Sequence, residues 1–235
     1  MTTSGSTNFA TDRDSIIAGA LRLCGAVALG ETPTSDQVTE ASEALNMMAK
    51  AWQADGMPLW AITETTWTVT SGTNSYTIGV GQTINVAAPL KVYQAFYTTT
   101  SASAIPMNVY NRYDFKLLPN STDVTGLPIN LYYQPLTDTG TIKLWPYPND
   151  STTQITIQYA RPYQDMDAAS DNFDFPAYWI LALTYMLSWV LSDEYGKGML
   201  DKDDLGKKAN YWKDYALSLG TEEGSMFLQP NYDKM

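Results

Sequence analysis

Histidine is absent from the 235 residues, and cysteine occurs once, as Cys24. Within one chain there can therefore be no Ser-His-Asp triad, no Cys-His pair, no His-ligated metal, no zinc finger and no structural disulfide. Positive charge is scarce as well. Fourteen Lys and Arg stand against 25 Asp and Glu, a formal net charge of −11, which excludes a protein that grips duplex DNA electrostatically. Long apolar runs are missing. The most hydrophobic window, 178–191, has 12 apolar residues in 14 and ends at Asp193-Glu194, short of the ~18 needed to cross a bilayer, so no membrane role is expected. Residues 1–10 are polar without a positive cluster, and Arg22 interrupts the apolar run that begins at Ile16, so no secretory signal is expected either. What is present is 44% hydrophobic and only 17% charged residues, enough for a real core.

Periodicity divides the chain into three stretches. Thr11 and Asp14 resemble a capping box for a helix running to about Gly25, with Ile16, Ile17, Ala20, Leu21 and Cys24 on one stripe. Cys24 reads there as a small buried hydrophobe. Thr34-Ser35-Asp36-Gln37 supplies a second capping signal. Val38, Ala41, Ala44, Leu45, Met48 and Trp52 follow at three-to-four spacing, a helix of about 20 residues that Gly56 and Pro58 stop. From Ala61 to Arg161 the texture changes to Thr, Tyr, Val, Ile and Trp with regular turns, the pattern of a small antiparallel sheet or sandwich. Strands are expected at Thr65 to Val69, Ser75 to Ile78 and Lys91 to Tyr97, with a short helix over Asn111 to Leu118. A meander of Ile129 to Gln134, Ile142 to Trp145 and Gln154 to Arg161 completes the region. Asn120-Ser121-Thr122 and Asn149-Asp150-Ser151 match the glycosylation sequon but read as turns. An Asp-rich loop leads through Phe175-Pro176 into an apolar helix over Ala177 to Tyr195, which needs neighbours on several sides; a last helix spans about Asp201 to Leu219. The expected class is α+β. Segments 1–59 and 162–235 form a helical bundle, 60–161 an inserted antiparallel β domain, and 221–235 an extended C-terminal tail.

Charge follows the same division. Residues 1–59 hold seven acids and three bases, 60–161 five of each, and 162–235 thirteen acids and six bases. These carboxylates are either solvated helix faces or a single acidic surface with a task. Asp201, Asp203 and Gly206 mimic the start of a calcium loop, but Leu205 and Trp212 stand where oxygen ligands are required. Asp165 and Asp167 could hold a divalent ion only with a substrate's help. Gly79 and Gly81 lack the third glycine of a dinucleotide site. No catalytic residue, resident metal or cofactor is expected. The strongest enzymatic alternative is a tail-associated, muramidase-like cell-wall glycosidase, using paired carboxylates and the 29 aromatic side chains as sugar platforms. A polysaccharide-binding module is a third reading.

The order of the segments resembles the head-to-tail adaptor, or connector, proteins of short-tailed bacteriophages. The likeness is carried by Ala51-Trp52-Gln53-Ala54-Asp55-Gly56-Met57-Pro58-Leu59-Trp60, by Tyr113-Asp114-Phe115-Lys116-Leu117-Leu118, and by Gly126-Leu127-Pro128 leading into Tyr132-Tyr133. It continues through Leu144-Trp145-Pro146-Tyr147-Pro148, Tyr159-Ala160-Arg161-Pro162, and the Phe175-Pro176 helix ending at Glu194-Tyr195-Gly196. The resemblance implies a non-enzymatic virion protein of the portal vertex and tail neck, assembled in the host cytoplasm. It implies a homo-oligomeric ring, a dodecamer, with the portal protein on one side and a tail nozzle or tail tube protein on the other. DNA would pass through the channel without specific binding, both in packaging and in ejection. Acidic walls suit such a channel because they repel phosphates, and Glu40, Glu43, Asp203 and Asp204 are the candidates to line it. In such proteins C-terminal segments dock on the portal, which makes Met226, Phe227 and Leu228 the candidate anchors.

Overall fold

The first helix, α1 (Arg13–Leu23), begins where the extended backbone of Asp12 lets its carboxylate accept the Ser15 amide at 2.8 Å. Hydrogen bonds from Ser15 hold that carboxyl below its usual range. The cap is thus Asp12 with Ser15, one position inside the expected Thr11–Asp14 box. Cys24 follows the helix, fully buried, its thiol donating to the Leu21 carbonyl and pushed up in pKa by burial. Gly25 then turns the chain at φ 76°. In the computed structural model, residues 9, 11–53, 59–100, 103–119, 124–195 and 202–220 are described.

Helix α2 (Ser35–Trp52) opens on a reciprocal box in which Thr34 Oγ1 accepts the Gln37 amide and Gln37 Oε1 accepts the Thr34 amide. Its apolar stripe, including Ala41, Leu45, Met48 and Trp52, is buried. Helices α4 (Ile180–Tyr195) and α5 (Lys202–Leu219) follow much later, and α4 packs against both α1 and α5. The approach of α4 to α5 is close. A Cβ on Gly206 of α5 would stand 2.9 Å from the Trp189 indole nitrogen of α4. The Asp-rich loop is a strap: Arg13 donates to the Asp167 carbonyl, Asn46 exchanges two hydrogen bonds with the Met166 backbone, and Asp171 accepts the amides of Asp167 and Ala168.

Contacts divide the chain into two compact units, Met1–Met48 with Asp165–Met235, and Ala49–Gln164. The second is built on β1 (Ile62–Thr68), β2 (Ser75–Ile78), β3 (Lys91–Thr98), β4 (Ile105–Tyr110), β6 (Asn130–Pro135), β7 (Gly140–Trp145) and β9 (Gln154–Ala160). These form one seven-stranded sheet in the order β1-β9-β3-β4-β6-β7-β2, while β5 (Thr125–Gly126) and β8 (Tyr147–Pro148) pair separately. Helix α3 (Arg112–Lys116) joins β4 to the β5 region. The sheet curls, so that Ile155 and Ile157 share one core with Ile78, Leu131, Ile142 and Leu144. Each such side chain contributes about 1.5–3 kcal/mol on burial.

Two expectations are corrected here. The sheet is mostly, not wholly, antiparallel: β4 runs parallel to β6, tied by an Asn108–Asn130 side-chain hydrogen bond of 3.1 Å. The expected meander is a hairpin only. Strand β7 already has β6 on one edge and β2 on the other, so β9 finds its partners in β1 and β3.

Candidate interaction surfaces

The helical unit exposes two kinds of surface. Glu40 and Glu43 lie on the solvent face of α2, where Glu40 accepts the Tyr195 hydroxyl at 3.0 Å. Burial, and after it the hydrogen bond and charge of Glu40, push the Tyr195 phenol up to about 12. Asp203 and Asp204 occupy the first turn of α5, where the helix dipole favours carboxylates. Asp204 also pairs with Lys208 one turn on, at 2.8 Å. Further along α5, Tyr211, Tyr215 and Leu219 form an i, i+4, i+8 stripe, respectively 63%, 49% and 55% exposed. Trp212 packs edge-on against both tyrosines. An exposed apolar stripe of this kind is a candidate contact surface. Met226, Phe227 and Leu228 lie outside the described residues, as does Asp201.

The β unit carries a feature of the opposite sign. Along β7, Ile142 and Leu144 point into the core, which sends Thr141, Lys143 and Trp145 to the outer face. Lys143 stands in register between Tyr132 of β6 and Ser75 of β2. Helix α3 lies over this face. Its cap, Asn111, accepts the Asp114 amide at 2.9 Å and also donates to the Asp114 carboxylate, while Phe115 covers the Tyr132 ring at 5.5 Å. The Trp145 indole donates to the Pro119 carbonyl at 2.9 Å, pinning the segment after α3 as a second wall.

Between α3 and the outer face of β2, β6 and β7 remains a cleft of about 450 Å³. Arg112, Lys116 and Lys143 all line it, and among the described residues no carboxylate does. Among the described residues none of the three bases makes an ion pair. Such a cleft can hold anionic groups by charge and hydrogen bonding. Among the described residues its lining holds no pair of carboxylates. Nothing local in the sequence joins these three bases, which span 31 positions from Arg112 to Lys143. The signals that point to them are the i, i+4 spacing of Arg112 and Lys116 and the outward parity of Lys143 between Ile142 and Leu144.

The expected channel candidates and the cleft bases therefore belong to different units, the carboxylates to the helices and the bases to the sheet. Among the described residues no helix is long and apolar enough to cross a membrane, and no three His, Cys, Asp or Glu side chains gather as a metal site. The family model described as SU10 adaptor protein matches residues 11–228, a span that takes in both units. No curated protein matches the chain.

Proposed function

The chain belongs to the SU10 adaptor protein family, which makes it a bacteriophage structural protein of the head-to-tail adaptor type, and from that membership we propose that identical copies close into a ring beneath the portal of a short-tailed phage. The ring bridges the capsid vertex to the next tail component, a nozzle or tube protein, and its bore forms part of the DNA channel. It acts by shape and by multiple contacts, without covalent chemistry. The family match over 11–228 carries the reading. The residues support it in two ways. The helical unit holds 19 acids against eight bases, a surplus suited to walls that must let phosphates slide past. In this reading Glu40, Glu43, Asp203 and Asp204 supply part of that lining. The exposed stripe of Tyr211, Tyr215 and Leu219 offers an apolar face to a neighbouring subunit, since aromatic side chains are favoured at interfaces.

Attachment to the portal falls to the C-terminal segment, with Met226, Phe227 and Leu228 as the apolar anchors in an otherwise polar stretch. Removing 221–235 is expected to leave the circular dichroism spectrum and melting of the fold unchanged while weakening co-sedimentation with purified portal. Undiminished co-assembly of the shortened chain contradicts the assignment of the anchors.

A further inference from the structure

We propose that the cationic cleft of the β unit receives carboxylates from the helical unit of a second copy of this chain, latching neighbouring subunits charge to charge. The inference rests on the ring reading in requiring that copies associate, and it adds the surface through which they do so.

Three observations carry it. The first is the state of the bases. Arg112, Lys116 and Lys143 face one cleft together, and none of them makes an ion pair among the described residues. Three like charges converging on one cavity repel one another until an anion enters. The second is complementarity. The β unit has six acids and six bases, half of those bases line this cleft, and the matching negative surplus of 11 resides entirely in the helical unit. A second copy thus brings the required charge with it. The third is the form of the walls. A single-stranded nucleic acid would stack its bases on aromatic faces, and here Phe115 and Tyr132 pack on each other and the Trp145 indole nitrogen is engaged by the Pro119 carbonyl, which leaves Tyr147 as the remaining ring of the lining. A chain of net charge −11 also repels a long polyanion, while it admits a few carboxylates presented by a fitted surface.

The test is zero-length carbodiimide coupling, which joins a lysine amine directly to a carboxylate, applied to a mixture of 15N-labelled and unlabelled full-length chain. The expected result is mixed-isotope cross-links from Lys116 or Lys143 to carboxylates within 1–48 or 165–235, suppressed at about 1 M salt where the Debye length falls to about 3 Å. The double variant Arg112→Glu with Lys143→Glu should lose the larger assemblies; should it fail to fold, the cross-link map of the unaltered chain decides alone. Copies that assemble while Lys116 and Lys143 couple to nothing on a second copy overturn the latch and leave the ring reading standing. Copies that never associate sink both. A short oligothymidylate that binds at ordinary salt and is released by the same two substitutions also overturns the latch, because the cleft would then be a nucleic-acid site.

Discussion

The helical unit holds 19 acids and eight bases and the β unit six of each, so the whole net charge of −11 belongs to the helices. Their surfaces differ accordingly. The β unit turns its alternating strands inward around one core and gathers three of its six bases in a single cleft, whereas the helical unit spreads carboxylates over its helices and leaves Tyr211, Tyr215 and Leu219 of α5 exposed. The contrast teaches that a modest average hides two specialised surfaces. A neutral unit can still gather three bases in one cleft, and a strongly acidic one can still expose an apolar stripe.

The two units should separate most clearly when the core of the neutral one is damaged. Ile157 has no exposed surface and packs among strands from both halves of the curled sheet. Ile157→Ala is expected to cost about 3–4 kcal/mol in urea unfolding. In hydrogen exchange the amides of β3 and β9 should lose protection while those of α4 keep theirs; equal loss in both would erase the distinction between the units. A smaller effect is expected at Gly140, where a Cβ would overlap the ring of Tyr133. That ring cannot swing away freely, because its hydroxyl donates to the Pro89 carbonyl and burial raises its pKa to about 12. Gly140→Ala should therefore lower stability by about 2 kcal/mol, read from the urea midpoint.

The smallest effect concerns the turn into β9. The Asp150 carboxylate accepts the amides of Thr152 and Thr153 and the Thr153 hydroxyl, and those hydrogen bonds, Thr153's amide foremost, lower its pKa. Asp150→Ala should cost about 1 kcal/mol near neutral pH. A depressed folded pKa means that the contribution is present above the ordinary value of 3.8 and is lost as pH falls through the folded value. The unaltered chain and the variant should consequently converge in stability at about pH 2; a gap that persists there would show that the turn is held by something other than the ionised carboxylate.

Much of the secondary structure was legible because local signals and burial agree. The Thr34–Gln37 box marks the start of α2, alternation marks β9, and the all-round apolarity of α4 announces its need for α1 and α5 as neighbours. Strand β4 went unseen because Pro106 interrupts its pattern, and with it went the parallel pairing to β6. The meander failed for a related reason. Periodicity tells which face of a strand is buried but not which edge is already occupied, and β2, returning from 65 residues upstream, had taken the free edge of β7. The cleft was illegible on the same ground: Lys143 meets Arg112 and Lys116 only once α3 is laid across the outer face of the sheet.

In the proposed reading copies of this acidic chain close around an opening that the genome crosses. Electron micrographs of the purified full-length chain, alone and mixed with purified portal, test it most directly. Annular particles with a central hole, formed alone or on the portal, are the expected result. Separate single subunits under both conditions would contradict the account.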